Sequence, residues 1–159
     1  MIQVGEHLPQ ATFRVIGPEG PIARTTDDMF KGRRIVLIGV PGAFTPSCHR
    51  NHLPGFVQHR EAILGKGVDA IAVTSVNDVF VLDAWAKASA AEGIEFLADG
   101  NADFAKAIGL EMDGTGFGLG IRSKRYSMLV EDGVVRILNV EDSPAKTELS
   151  GVEALLKVL

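Results

Sequence analysis

The sequence predicts one α/β domain over residues 1–159, with a central mixed β-sheet flanked by helices and an N-terminal β-hairpin. Three observations predict it. Ile35 to Val40 and Val68 to Val73 are continuous apolar runs, the pattern of strands buried on both faces by helices. A helix-like stretch separates them, as in an alternating strand–helix chain. Farther on, Glu131-Asp132-Gly133 stands between two more apolar runs and signals an antiparallel hairpin.

Each element can be justified in order. ATFRVIGPEGPIART alternates around a Gly- and Pro-rich turn, so residues 11 to 25 read as a small hairpin. Thr26 followed by Asp27 and Asp28 reads as a helix start, and Lys31 to Arg34 as a basic turn before the first core strand. From Pro46 to about Leu64 the chain is helix-like, with Leu53, Phe56, Val57, Ile63 and Leu64 as a rough apolar stripe. Pro54 falls inside it and should kink it. After the second core strand, Asn77-Asp78 should cap a helix reaching about Ala91, ahead of Gly93. Phe96-Leu97 opens a short strand and Asp103 to Ile108 a short helix. The hairpin pairs Met128–Val130 with Val134–Leu138, and Gly151 to Leu159 is a terminal helix. A thioredoxin-like fold has this order of elements.

Composition narrows the function. Hydrophobic residues make up 46% of 159, enough for a core, and the net charge is −4. A nucleic-acid partner calls for a basic face instead. No uncharged apolar run approaches the ~18 residues of a membrane span. MIQVGEHLPQ carries an early acid and lacks the apolar core of a secretory leader. The chain holds a single cysteine, Cys48, so no internal disulfide forms. A cytoplasmic location is the expectation.

A lone cysteine is most often a small buried hydrophobe. The surroundings of Cys48 point elsewhere. It follows a buried strand by a short loop and lies at a helix start, where free backbone N–H groups and the helix dipole favour a thiolate. Thr45, three residues earlier, can turn its hydroxyl toward the sulfur. Pro41 and Pro46 stiffen the loop and remove two N–H groups. His52, four residues after Cys48, shares its helix face and has the chemistry of a base, a metal ligand or an orienting group. His49 points elsewhere. One Cys and two His fall short of the four ligands of a closed zinc site, so no metal and no cofactor are expected. A Cys-x-x-Cys reductase is excluded, because Ser47-Cys48-His49-Arg50-Asn51 holds no second cysteine. Gly114, Gly116, Gly118 and Gly120 alternate in a stretch that lacks the G-x-G-x-x-G register; it reads as a flexible loop near the active site or a subunit contact.

PGAFTPSCHRNHLPGF, with Pro41, Thr45 and Cys48 in fixed spacing, resembles the active-site signature of the peroxiredoxins, in particular the type II, peroxiredoxin-five-like group. The likeness spans nearly the whole chain. Ser75-Val76-Asn77-Asp78 with Phe80 and Trp85, Lys124-Arg125-Tyr126-Ser127-Met128, and Asn139-Val140-Glu141 resemble further segments of that group. The resemblance implies that Cys48 is the peroxidatic cysteine, that Thr45 hydrogen-bonds thiolate and peroxide, and that Pro41 shields the sulfur. It also implies a positive charge from Arg125 beside the sulfur. His52 would support the site from behind it, while Gly42 and Gly39 would serve the backbone. Phe80 and Trp85 read as core or interface residues.

Many type II relatives carry a resolving cysteine, either near the end of the second core strand or near the C-terminus. Here those places hold Val73 to Ser75 and Glu148-Leu149-Ser150. The resemblance therefore implies a one-cysteine thiol peroxidase for hydrogen peroxide and organic hydroperoxides. Its sulfenic acid would be reduced by an external thiol, glutaredoxin with glutathione or thioredoxin, and the chain would form a homodimer without nucleic-acid or membrane partners. A peroxide-sensing signalling module using the same cysteine is the alternative. A purely structural interaction domain is the third reading.

Overall fold

The computed structural model describes the backbone of residues 1–159 and every side chain except those of Cys48 and Arg50. Strand β1 (Thr12–Gly17) and strand β2 (Gly20–Thr25) form the expected N-terminal hairpin. Helix α1 (Thr26–Phe30) follows. It starts at Thr26, as the sequence suggested, and its cap is Thr25: the Thr25 hydroxyl accepts from Asp28 N–H at 3.1 Å, and the Asp28 carboxylate accepts from Thr25 N–H at 3.0 Å, a capping box. Thr26 is buried and ties helix to leader, accepting from Ala11 N–H at 2.9 Å.

The central strands are β3 (Arg34–Gly39), β4 (Ala70–Ser75) and β5 (Ile94–Ala98), all parallel. With β1, β2, β8 (Tyr126–Glu131) and β9 (Val134–Val140) they build a seven-stranded mixed sheet in the order β2-β1-β5-β4-β3-β8-β9. β3 lies between β4 and β8, so both its edges are paired. Its side chains alternate between two cores. Val36 and Ile38 pack with Leu53, Phe56, Ile63, Leu82, Trp85 and Leu155. Ile35 and Leu37 pack with Phe13, Met29, Phe30, Phe104 and Ile108 on the other face. All four are fully buried, worth ~1.5–3 kcal/mol each in removed apolar surface. The continuous apolar run is thus explained by helices on both faces.

On one face lie α2 (Leu53–Gln58), α3 (Arg60–Leu64), α4 (Val79–Ala88) and α6 (Val152–Leu156); α1 and α5 (Asp103–Ala107) cover the other. Asp78 caps α4, accepting from Val81 N–H at 2.8 Å. That helix ends at Ala88 rather than Ala91, because Ala90 turns to φ 49°. In the β8–β9 turn both Asp132 (φ 47°) and Gly133 (φ 79°) are left-handed, the two-residue turn that suits strand twist.

The glycine-rich stretch is a loop, as expected, but it lies between two short strands that the sequence did not reveal. It is the connection of a second small sheet, β6 (Glu111–Asp113) paired with β7 (Ile121–Ser123), with one 3-10 turn at Thr115–Phe117. Three-residue strands carry too little alternation to be read from sequence. No described helix is long and apolar enough to cross a membrane.

Candidate active site

β3 ends at Gly39, which is glycine for a steric reason. A Cβ there would overlap the ring of Tyr126, which is fully buried on the paired strand β8. The chain then leaves the sheet. Val40 N–H still reaches Thr74 carbonyl at 3.1 Å, and Pro41 and Gly42 are buried. Ala43 N–H donates to Asn77 Oδ1 at 2.9 Å, and Ser75 Oγ donates to the same oxygen at 2.8 Å. The Ser75–Asp78 segment therefore has two tasks: Asn77 pins the loop after β3 and Asp78 caps α4. Phe44 sits at φ 64°, a left-handed conformation unusual for a bulky residue, and reverses the chain into the following helix.

Thr45 opens that helix. Its hydroxyl donates to Gly42 carbonyl at 2.7 Å, and its own carbonyl accepts His49 N–H at 2.8 Å. The hydroxyl proton is thus committed to Gly42, and donation to another group requires its rotation. Cys48 begins a π-helical turn, Cys48–His52, that leads into α2. The cause lies just downstream. Pro54, near the start of α2, has no N–H for the carbonyl four residues back, and a one-residue widening absorbs the mismatch. The expected kink thus takes the form of a π turn, a feature often found at functional sites. The Cys48 thiol lies outside the described residues. Its backbone places it at the start of this turn, after the rigid Pro41–Thr45 loop.

Arg125, between β7 and β8, is distant from Cys48 in sequence and is buried at 2% exposure. Its Nε donates to Pro144 carbonyl at 3.0 Å, and its Nη1 lies 3.0 Å from His52 Nδ1. His52 is buried too, and its Nε2 lies 2.9 Å from Ser150 carbonyl. A carbonyl only accepts, so Nε2 carries the proton and Nδ1 accepts from the guanidinium. Burial, then the Arg125 charge, lowers the His52 pKa to about 4, against smaller opposing effects of the Ser150 carbonyl and Glu141. His52 is therefore neutral at pH 7: an acceptor that orients Arg125, not a base.

Glu141 completes the network. One carboxylate oxygen accepts both the N–H of Ser150, at 2.5 Å, and its hydroxyl, at 2.6 Å. Burial acts to raise its pKa, but these bonds, with the Leu149 backbone and His52, outweigh it and hold the carboxyl below its usual range. Ser47 Oγ donates to Ala145 carbonyl at 3.1 Å, so the segment 141–150 also touches the helix start. His49 turns away, accepting from Trp85 Nε1 at 3.1 Å and lying against Phe44, ring centroids 5.7 Å apart. Phe80 is exposed, whereas Trp85 is core.

The fold thus brings Pro41, Gly42, Thr45 and the Cys48 backbone into one loop and turn, and joins Arg125 to His52 at that turn. Gly42 is a backbone device: a Cβ there would lie 3.1 Å from both Arg122 Nη1 and Thr45 Cγ2. Sequence reasoning missed Ser47, Pro144 and Ser150, and gave Glu141 no role. Pro144 and Ser150 act through main-chain carbonyls, which no side-chain identity reveals. Among the described residues no three His, Cys, Asp or Glu side chains converge to hold a metal ion.

The family profile described as Redoxin matches residues 3–156. The chain is 46% identical over 165 residues to peroxiredoxin-2E-2, chloroplastic, of Oryza sativa subsp. japonica, covering 99% of this chain and 72% of that one. It is 41% identical to peroxiredoxin-2C of the same plant, covering 99% and 98%. Among solved structures it superposes on reduced Prx3 from Vibrio vulnificus in complex with hydrogen peroxide. The TM-score is 0.94, with 48% identity and coverage of 99% and 98%.

Proposed function

The chain belongs to the redoxin family and is a peroxiredoxin of the type II, peroxiredoxin-five-like group, an enzyme that reduces peroxide with thiols, and from that premise we propose that Cys48 is its peroxidatic residue, acting on hydrogen peroxide and organic hydroperoxides. The observation that carries the reading is the buried Arg125 guanidinium, fixed by a neutral His52 on the turn that Cys48 begins. In the proposed step the Cys48 thiolate attacks one peroxide oxygen, an S–O bond forms and the O–O bond breaks. Sulfur is oxidised by two electrons, and the departing oxygen leaves as water or an alcohol once protonated. Negative charge grows on that oxygen, so the guanidinium stabilises the transition state more than the ground state. Thr45 contributes once its hydroxyl turns from Gly42, and Pro41 keeps water off the sulfur.

With no second cysteine in the sequence, the sulfenic acid is resolved from outside. One thiol condenses with it, releasing water, and a second thiol frees Cys48 and leaves as a disulfide. Glutaredoxin with glutathione, or thioredoxin, fills this role. We place the enzyme in the cytoplasm, since such a cycle needs a reducing compartment, and as a homodimer. The exposed Phe44 and Phe80, with Phe44 ring-packed near Trp85 of the helix that carries Phe80, support a subunit contact beside the loop.

The test begins with one equivalent of peroxide on reduced protein, which should add one oxygen to the peptide holding Cys48. An unmodified thiol beside persisting peroxide refutes the reading. Peroxide consumption with glutaredoxin and glutathione in one tube and thioredoxin in another then identifies the reductant. Oxidation of Cys48 without sustained turnover in either tube, or with any small thiol, would point to a sensor.

A further inference from the structure

The segment between β9 and α6 is exposed along most of its middle, yet both its ends, Glu141 and Ser150, are buried. Glu141 joins them, its carboxylate holding the N–H and the hydroxyl of Ser150. Everything the segment offers the active site lies inside this closure. Pro144 carbonyl takes Arg125 Nε, Ala145 carbonyl takes Ser47 Oγ, and Ser150 carbonyl takes His52 Nε2. Glu141 N–H is itself bonded to Arg125 carbonyl at 3.0 Å. Main-chain carbonyls orient a guanidinium only as well as their loop is held. Here the holding bonds are charge-assisted and short, the stronger kind.

We propose that Glu141 is a positioning residue for the peroxide reaction: by clamping Ser150 it fixes the His52 tautomer and aims the Arg125 guanidinium at the Cys48 turn. This rests on the peroxidase reading for the role of Arg125. Among the described residues the charged groups that act on His52 are Arg125 and Glu141, so the clamp carboxylate and the aimed cation are linked through one neutral ring. A loop closer with no further role would lower stability and nothing else.

The test uses the full chain with Glu141→Ala, Glu141→Gln and Ser150→Ala. Three quantities are read well below the melting temperature: the rate of peroxide reaction, the pH profile of Cys48 alkylation by iodoacetamide, and the ring nitrogen shifts of His52. Glu141→Ala should slow the peroxide reaction about tenfold, less than removal of the guanidinium, because Arg125 remains but is held less firmly. It should also displace the alkylation profile to higher pH and mix the His52 tautomers. Glu141→Gln, which still offers Ser150 an oxygen, should fall between. Wild-type rate and profile in folded Glu141→Ala overturn the proposal. If that variant does not fold, wild-type values in both Glu141→Gln and Ser150→Ala overturn it equally. Failure of the peroxidase reading would appear as an unmodified Cys48 in the parent protein, while alkylation and ring shifts still decide the clamp.

Discussion

His52 makes stability depend on pH in a window that its surroundings define. Folded, its pKa lies at about 4 against 6.5 for the ordinary side chain, through burial first and the Arg125 charge second. Protonation would turn Nδ1 from acceptor into donor, facing a guanidinium N–H at 3.0 Å. Between pH 6.5 and about 4 the unfolded chain binds this proton and the folded chain does not. Stability therefore falls as pH falls through that window and levels off below it. One pKa unit is 1.36 kcal/mol, so the difference amounts to something on the order of 3 kcal/mol for this buried ring. The assay is urea unfolding at fixed protein concentration from pH 7.5 to 4.5, for the parent and His52→Gln. Other carboxylates and the three other histidines titrate in both proteins and cancel in the difference. His52→Gln should be less stable at pH 7, since a poorer fit faces Arg125 and Ser150, and the gap should narrow toward pH 5. Parallel curves across the window would show that His52 is not the neutral acceptor inferred here.

Arg125→Ala should slow the reaction of peroxide with reduced protein by about 10²–10³-fold, as for removal of one aimed transition-state donor; an unchanged stopped-flow rate would mean that another cation does this work. Gly39→Ala should cost at least ~1–3 kcal/mol by overpacking, because the Tyr126 ring it meets is fully buried; denaturant midpoints measure it, and a midpoint equal to the parent's would show that the ring can yield. Thr25→Ala should cost ~1 kcal/mol by loss of the capping box and leave peroxide turnover unchanged, since α1 lies on the sheet face away from α2.

The core was legible in the sequence because its signals are strong and local. Ile35–Val40 reads as a doubly covered strand, and Glu131-Asp132-Gly133 as a turn, since burial on both faces and paired positive φ angles each demand a narrow set of residues. The motif around Cys48 named its own neighbours, Pro41 and Thr45, because they lie on one loop. The end of α4 slipped by three residues, to Ala88, where neighbouring alanines offer no distinct stop signal. The β6–β7 pair was missed because three-residue strands carry almost no periodicity. What stayed out of reach at the site was the segment 141–150. Its contribution runs through backbone carbonyls and through one carboxylate–serine pair, and neither has a pattern that sequence spacing records.

The chain separations in this network have a consequence for how the enzyme is made. His52 meets Arg125 across 73 residues and Ser150 across 98. A ribosome adding about 5–20 residues per second needs roughly 5–20 s to carry the chain from the cysteine segment to the clamp. Throughout that interval His52 lacks its Ser150 carbonyl, and the clamp that holds the segment 141–150 is not yet formed. Under the proposed mechanism the peroxide site is therefore assembled only after the C-terminal segment has been made, so a nascent chain lacks the reactivity of the finished enzyme.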